Sequence, residues 1–333
     1  MTTIKQFTLF FLTLCLISLP AVSVSAADTF EPSSVTTQVA TVQSASKSSS
    51  ADPYKKYATD EYYSKLSADE KCFYDMLNNI CLTFLLYKED GTFFEELDCY
   101  TLPECVTASI SSEDAKRICN IFRLSNPQYY YLSGQDICWT ENDVLYYAPG
   151  IYSSFSDGIK RTAYTKKFFT KVDSLVSQIQ KKCRKYSVKK KAAYIHDLLI
   201  RKYDYDYTAE KYINAGNTQK LDRLCTQSAW PLIMRGKGVC ASYSAVYQLL
   251  CDATHIPAIT ITSAAHEWNK IQINGKWYNV DLTFDEAQSV EVFGIYSREW
   301  FLKSSRQYSI SDSSSSTPDA HKLESIWDGL VIP

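Results

Sequence analysis

Residues 236–286 read GKGVCASYSAVYQLLCDATHIPAITITSAAHEWNKIQINGKWYNVDLTFDE, and this stretch decides how the rest of the chain is to be understood. From Cys240 onward, Val246, Leu249 and Leu250 recur at a spacing that predicts a helix with one apolar stripe. Cys240 falls in the first turn, and Gly238 frees the backbone just ahead of it. The partial positive charge of a helix N-terminus favours a thiolate, and the backbone N–H groups there can receive an oxyanion. Taken alone, Cys240 is equally readable as one half of a buried disulfide.

The next segment separates these readings. Asn274-Gly275 is a strong signal for a two-residue turn joining residues 266–273 to residues 276–284. Closing that hairpin pairs Ile273 with Lys276, so His266 is expected opposite Thr283 and Trp268 opposite Asp281. His266 and Asp281 then lie on one face as diagonal neighbours within side-chain reach. Ile271, Ile273, Tyr278, Val280, Leu282 and Phe284 make the other face, an apolar wall. A histidine and an aspartate alone would read as a structural hydrogen bond. With a helix-start cysteine they suit nucleophilic catalysis: Cys240 attacks a carbonyl, His266 moves the proton, and Asp281 fixes the imidazole tautomer.

Four blocks carry a resemblance. Residues 236–244 (GKGVCASYS), 256–258 (IPA), 266–269 (HEWN) and 275–284 (GKWYNVDLTF) resemble the core of the transglutaminase-like superfamily, and its bacterial exported members match best. Residues 195–197 (IHD) and 203–206 (YDYD) resemble that family's segment upstream of the cysteine, and residues 126–131 (NPQYYY) resemble a strand N-terminal to the core. The resemblance implies an α+β fold with a papain-like core, in which a cysteine-bearing helix packs on an antiparallel sheet. It transfers the nucleophile to Cys240, the base to His266 and the orienting carboxylate to Asp281. Trp230 matches a position that is often aromatic in bacterial members and is a candidate for lining the oxyanion site, with Trp268 a pocket candidate beside it. Thr254-His255 departs from the glycine usual before Ile-Pro-Ala, and Phe284 stands for a common tryptophan; both departures touch the pocket wall.

Composition sets the frame. With 333 residues, 45% of them hydrophobic, the chain is ample for a large core, and a net charge of −2 offers no footprint for nucleic acid. Its 25 tyrosines against 15 phenylalanines are read as half-buried structural aromatics. Lys5, the apolar run from Phe7 to Pro20 and Val24-Ser-Ala26 read as an export signal, too short for a stable membrane span. Cys15 follows Leu14, where a lipid-attachment cysteine would want a small neighbour. The expected layout is a signal peptide at 1–26, a disordered Ser/Thr-rich linker at 27–52, an N-terminal helical and small-sheet region at 53–160, and a transglutaminase-like domain at 161–333. The mature protein is expected to be secreted or at the cell surface, with no transmembrane span.

Within the body, Ser67 and Ser111 open two capping-box helices, the second ending at Asn126-Pro127. Short strands are expected at 128–133, 137–140 and 144–148, helices at 165–183 and 188–203, and a polar surface loop at 207–222. His196 is read as a packed core histidine and Lys181–Lys191 as a solvated helix end. A last core strand is expected at 299–302, a serine-rich loop at 309–317, and a tail that docks back on the body. Outside Cys15, ten cysteines remain with no C-x-x-C pair, so disulfides are expected among them, with Cys251 unpaired. No calcium-loop pattern occurs, and no metal or cofactor is implied. The expected function is that of an exported thiol enzyme acting on peptide or protein amides through a Cys acyl-thioester. Hydrolysis is favoured over transfer to an amine, and a cross-linking transglutaminase is the alternative. A reading of another class is a non-catalytic cell-surface or wall-binding module, with cell-wall material as its partner.

Overall fold

The computed structural model describes residues 52–85, 100–101, 110–141, 144–289, 296–313, 320–323 and 330. The signal peptide and nearly all of the linker expected before residue 53 lie outside these, as do Cys15, Cys99 and Cys105.

Helix α1 (Ala68–Leu85) begins with a reciprocal cap: Glu70 N donates to Ser67 Oγ at 3.2 Å, and Ser67 N donates to Glu70 Oε2 at 2.7 Å. Helix α2 (Ser112–Ser125) is capped by Ser111, which accepts from Asp114 N at 3.0 Å, and it stops before Pro127. Strands β1 (Tyr100–Thr101), β2 (Ile137–Glu141) and β3 (Val144–Ala148) form an antiparallel sheet in the order β1-β3-β2. The strand expected at 128–133 is instead a series of turns with one bridge, Leu132 to Ile151. Its three tyrosines are buried, and their hydroxyls bond Asn78, Thr165 and the Cys81 carbonyl.

Two long helices follow, α3 (Gly158–Lys182) and α4 (Val188–Lys202), capped by Asp157 and Ser187. Strand β4 (Asp204–Tyr205) pairs in parallel with β5 (Lys237–Gly238). Between them, the expected polar loop is helical: α5 (Tyr207–Asn214) and α6 (Thr218–Leu224) start on Asp206 and Asn217 caps, and α7 (Trp230–Arg235) follows. Side-chain caps sustain helices too short and polar for hydrophobic periodicity to reveal.

Helix α8 (Cys240–Asp252) is the centre of the molecule, with Tyr243, Val246, Tyr247, Leu249, Leu250 and Cys251 all buried. It packs on a four-stranded antiparallel sheet in the order β6-β7-β8-β9, made of β6 (Ala258–Thr262), β7 (Glu267–Ile273), β8 (Lys276–Val280) and β9 (Phe301–Lys303). The hairpin turn pairs Ile273 with Lys276, and Asn274 and Gly275 both take positive φ, at 51° and 75°. The second hairpin strand is shorter than its sequence suggests. It ends at Val280, and helix α9 (Leu282–Ala287) starts on Asp281, so Leu282 and Phe284 leave the strand wall. Helix α10 (Ser305–Ser313) occupies part of the expected serine-rich loop.

One continuous set of buried apolar side chains runs from Tyr57 to Leu330, so the segment at 53–160 shares its core with the rest. Gln248 of α8 donates to the Leu124 carbonyl of α2 at 3.0 Å across that junction. The disulfides expected from sequence do not form between described residues: Cys81, Cys119, Cys138, Cys183, Cys225, Cys240 and Cys251 are free thiols. Most fill core positions as small apolar groups, and burial pushes the Cys81 and Cys225 thiols up to about 12.

Two backbone positions constrain the centre. A Cβ on Gly238 would lie 2.5 Å from the Ser242 Cβ, so only glycine lets the chain close onto the start of α8. His255 has φ of 62°, a left-handed conformation that costs a side chain roughly 1–2 kcal/mol. His255→Gly is therefore expected to raise stability by about 0.5–1 kcal/mol, glycine's greater unfolded-state entropy taking back part of the gain. A rise in the urea midpoint with an unchanged slope checks this.

Candidate active site

Cys240 is the first residue of α8, and its N-cap, Val239, provides no side-chain hydrogen bond. Ser111, Asp157 and Ser187 cap their helices with side chains, whereas here Ser242 N turns back to the Val239 carbonyl at 3.0 Å and no side chain caps the N–H groups of Cys240 and Ala241. Cys240 is partly exposed, in contrast to the buried Cys251 eleven residues along the same helix. Its thiol lies close enough to the His266 ring to help raise the pKa of that ring.

His266 stands immediately before β7 and is buried. Its Nε2 lies 2.5 Å from Asp281 Oδ2, which leaves Nδ1 as the ring nitrogen for Cys240. Burial opposes charging this imidazole, but the Asp281 carboxylate, with help from Cys240, outweighs it and raises its pKa well above the usual value. The register expected from the hairpin placed His266 and Asp281 together, and they do meet. The contact is made differently: Asp281 sits past the end of β8 as the N-cap of α9, not within a strand.

That cap defines Asp281. Its Oδ1 accepts from Thr283 N at 2.9 Å, Thr283 Oγ1 at 2.9 Å and Phe284 N at 3.1 Å. Its Oδ2 receives His266, and also His321 Nε2 at 3.0 Å. Burial would raise the pKa of this carboxyl, yet His266 and His321 hold it far below the usual carboxylate range. An ionised carboxylate only accepts, so both imidazoles direct an Nε2 proton at it. Sequence reasoning passed over His321, because nothing in the local pattern of the tail ties it to a position forty residues earlier.

Trp268 lies beside the histidine, its ring near-parallel to His266 at 6.2 Å and its Nε1 donating to Asn279 Oδ1 at 3.0 Å. Trp230 is engaged elsewhere. It stacks on Tyr130 at 4.9 Å and meets Phe155 and Tyr164 edge-on, in the aromatic packing beneath α3. A second buried His–Asp pair supports α9 from its other end. His196 of α4 contacts Asp285 Oδ2 at 3.0 Å and Asp197 Oδ1 at 3.1 Å, while Asp285 Oδ1 accepts from Ser297 Oγ and Trp300 N. Burial disfavours the imidazolium, but Asp197 and Asp285 together raise the His196 pKa.

His266, Asp281 and His321 bring three ligand-type atoms within 4.8 Å of one another. Asp281 Oδ2 lies at hydrogen-bonding distance from both imidazoles, so the cluster is held together by N–H···O contacts as it stands.

Residues 173–282 match the model of the transglutaminase-like superfamily. This segment is similar to a transglutaminase-like core. It runs from within α3 to the start of α9 and contains Cys240, His266 and Asp281. Two solved structures are similar to the chain. One is a TGase, 14% identical, covering 55% of this chain and 50% of that one with a TM-score of 0.30. The other is a candidate cysteine protease from Cytophaga hutchinsonii, 16% identical, covering 45% and 61% with a TM-score of 0.25. The chain thus spans about half the length of the first and about three fifths of the second. No curated protein matches the chain significantly.

The His266–Asp281 pair makes a linked prediction about charge. His266 has a raised folded pKa, so its stabilisation is complete below the unfolded value of 6.5 and is lost as pH rises through the folded one. Asp281 has a depressed folded pKa, so its stabilisation is complete above the unfolded value of 3.8 and is lost as pH falls through the folded one. Asp281→Asn keeps a capping side chain but removes the charge. It is expected to lower the His266 pKa, and to cost about 3 kcal/mol near pH 5, less toward neutrality. Imidazole NMR titration and urea unfolding at two pH values measure both.

Proposed function

We propose that the chain is an exported thiol enzyme that cleaves amide bonds in peptides or proteins through an acyl-thioester on Cys240. The observation that carries this reading is the placement of a partly exposed helix-start thiol beside His266, whose ring is hydrogen-bonded to the buried Asp281.

In this scheme the Cys240 thiol passes its proton to His266 Nδ1, and the thiolate attacks the amide carbonyl carbon. The oxyanion faces the uncapped N–H groups at the start of α8. The C–N bond then breaks, and the leaving amine takes the proton from His266. Water attacks the thioester with His266 as base, releasing a carboxylic acid and restoring the thiol. Asp281 stays ionised throughout, holding the imidazole with Nε2 protonated and stabilising the imidazolium. Trp268 forms a wall of the histidine's niche. Water is taken as the favoured acceptor because the thiol is partly open to solvent. An amine acceptor would give transamidation by the same chemistry. Export is inferred from the leader at 1–26, and among the described residues no helix is long and apolar enough to cross a membrane.

The test is to incubate the protein with a peptide library and a dansylated amine, with Cys240→Ala as control. Wild type is expected to release carboxylate products, and the alanine variant to be slower by about a thousandfold or more. Dansyl incorporation in place of hydrolysis would make it a cross-linking enzyme. Equal turnover by the two proteins would sink the thiol mechanism. Iodoacetamide near pH 6 is expected to label Cys240 ahead of the buried thiols.

A further inference from the structure

The imidazole of His321 is buried, although it comes from a short segment near the end of the chain. That segment, residues 320–323, is tied down on the site. Ser263 Oγ donates to the Ala320 carbonyl at 2.6 Å, and Leu323 bridges Ser263 in antiparallel fashion. The ring enters an aromatic box contributed by four separate elements. It stacks on Trp300 at 5.1 Å and meets Trp268, Phe284 and Tyr308 at steep angles, with centroids 4.9, 5.1 and 4.4 Å away. An apolar box does not call for a polar ring. Burying an imidazole there is unfavourable unless its N–H groups find acceptors, and Nε2 meets Asp281 Oδ2 at 3.0 Å. That is the same oxygen that receives His266.

We propose that His321 is a positioning residue for the His266–Asp281 pair, and that the segment at 320–323 completes the site by delivering it. The proposal rests on the thiol-enzyme reading given above. Two physical effects are combined. With three donors on Oδ1 and two imidazoles on Oδ2, the Asp281 carboxylate has its lone-pair sites filled and cannot swing away from His266. The second donor on Oδ2 also withdraws part of the negative charge that His266 feels. The imidazolium is then held firmly enough to form, and weakly enough to give its proton to a leaving amine.

The two roles that a buried ring could play predict opposite orders of variants. A space-filling role is met by His321→Phe and harmed by His321→Gln, which is smaller and polar. A donor role is met by His321→Gln, whose amide nitrogen occupies the place of Nε2, and lost in His321→Phe. The experiment compares wild type, H321F and H321Q by peptide turnover and by NMR titration of the His266 imidazole. H321F is expected to lower kcat about tenfold with KM within twofold of wild type, and to move the His266 titration upward by about half a pH unit. H321Q is expected to stay within about threefold of wild type in kcat, with the titration restored. If H321F does not fold, H321N takes its place, since its shorter amide falls short of Oδ2. Phenylalanine matching or surpassing glutamine in both readouts would overturn the proposal. If wild type turns over no peptide at all, the enzyme reading fails, and the His266 titration in the variants still decides the role of His321.

Discussion

A buried carboxylate is among the most expensive groups a protein can hold, and Asp281 is buried with its charge retained. Five donors drawn from three parts of the chain make that tolerable. Thr283 and Phe284 supply three from the first turn of α9, His266 supplies one from the start of β7, and His321 supplies one from the terminal segment. Each donor group is itself placed by the contact. The carboxylate starts the helix, orients the histidine that faces Cys240, and anchors the segment that crosses the sheet edge. Remove the side chain, and helix start, base and strap lose the same partner.

The elements around it serve that point. Helix α9 is short, with only six residues between its caps, and it would be marginal alone. It is held at its start by Asp281 and further along by Asp285, which binds His196 from α4 and the Trp300 backbone. Helix α8 brings Cys240 from the other side on a shaft buried almost all round. Gly238 permits the tight approach of β5 at its start, and the lack of a side-chain cap leaves its N-terminus free for chemistry.

The abundance of tyrosine also has a structural reason. Phenols in this molecule bury a ring and spend the hydroxyl on a distant backbone carbonyl: Tyr62 on Thr260, Tyr131 on Cys81, Tyr243 on Tyr203, Tyr308 on Trp300. Each bond ties two elements that share no ladder, and phenylalanine would leave the carbonyl without that donor. Among them, Tyr62 ties the segment at 53–160 to β6 of the sheet, and the main apolar core runs through both parts.

The sequence by itself determined the central helix, the hairpin and its register, and hence the meeting of His266 and Asp281. These depend on local signals: a helical apolar stripe after a glycine, and an Asn-Gly turn whose positive φ values admit one pairing. It also determined the two capping boxes, since their donors and acceptors lie within three residues. Only the tertiary structure decided that Asp281 caps a helix where an alternating strand pattern continued, that Trp230 belongs to the packing under α3, and that residues 207–224 are helical. It alone joined His321 to Asp281 and left no disulfide between described cysteines. In each case the deciding energy is the satisfaction of a buried polar group or the filling of a cavity by a residue distant in sequence. Such terms leave no period or motif in the chain. They exist only once the core has closed.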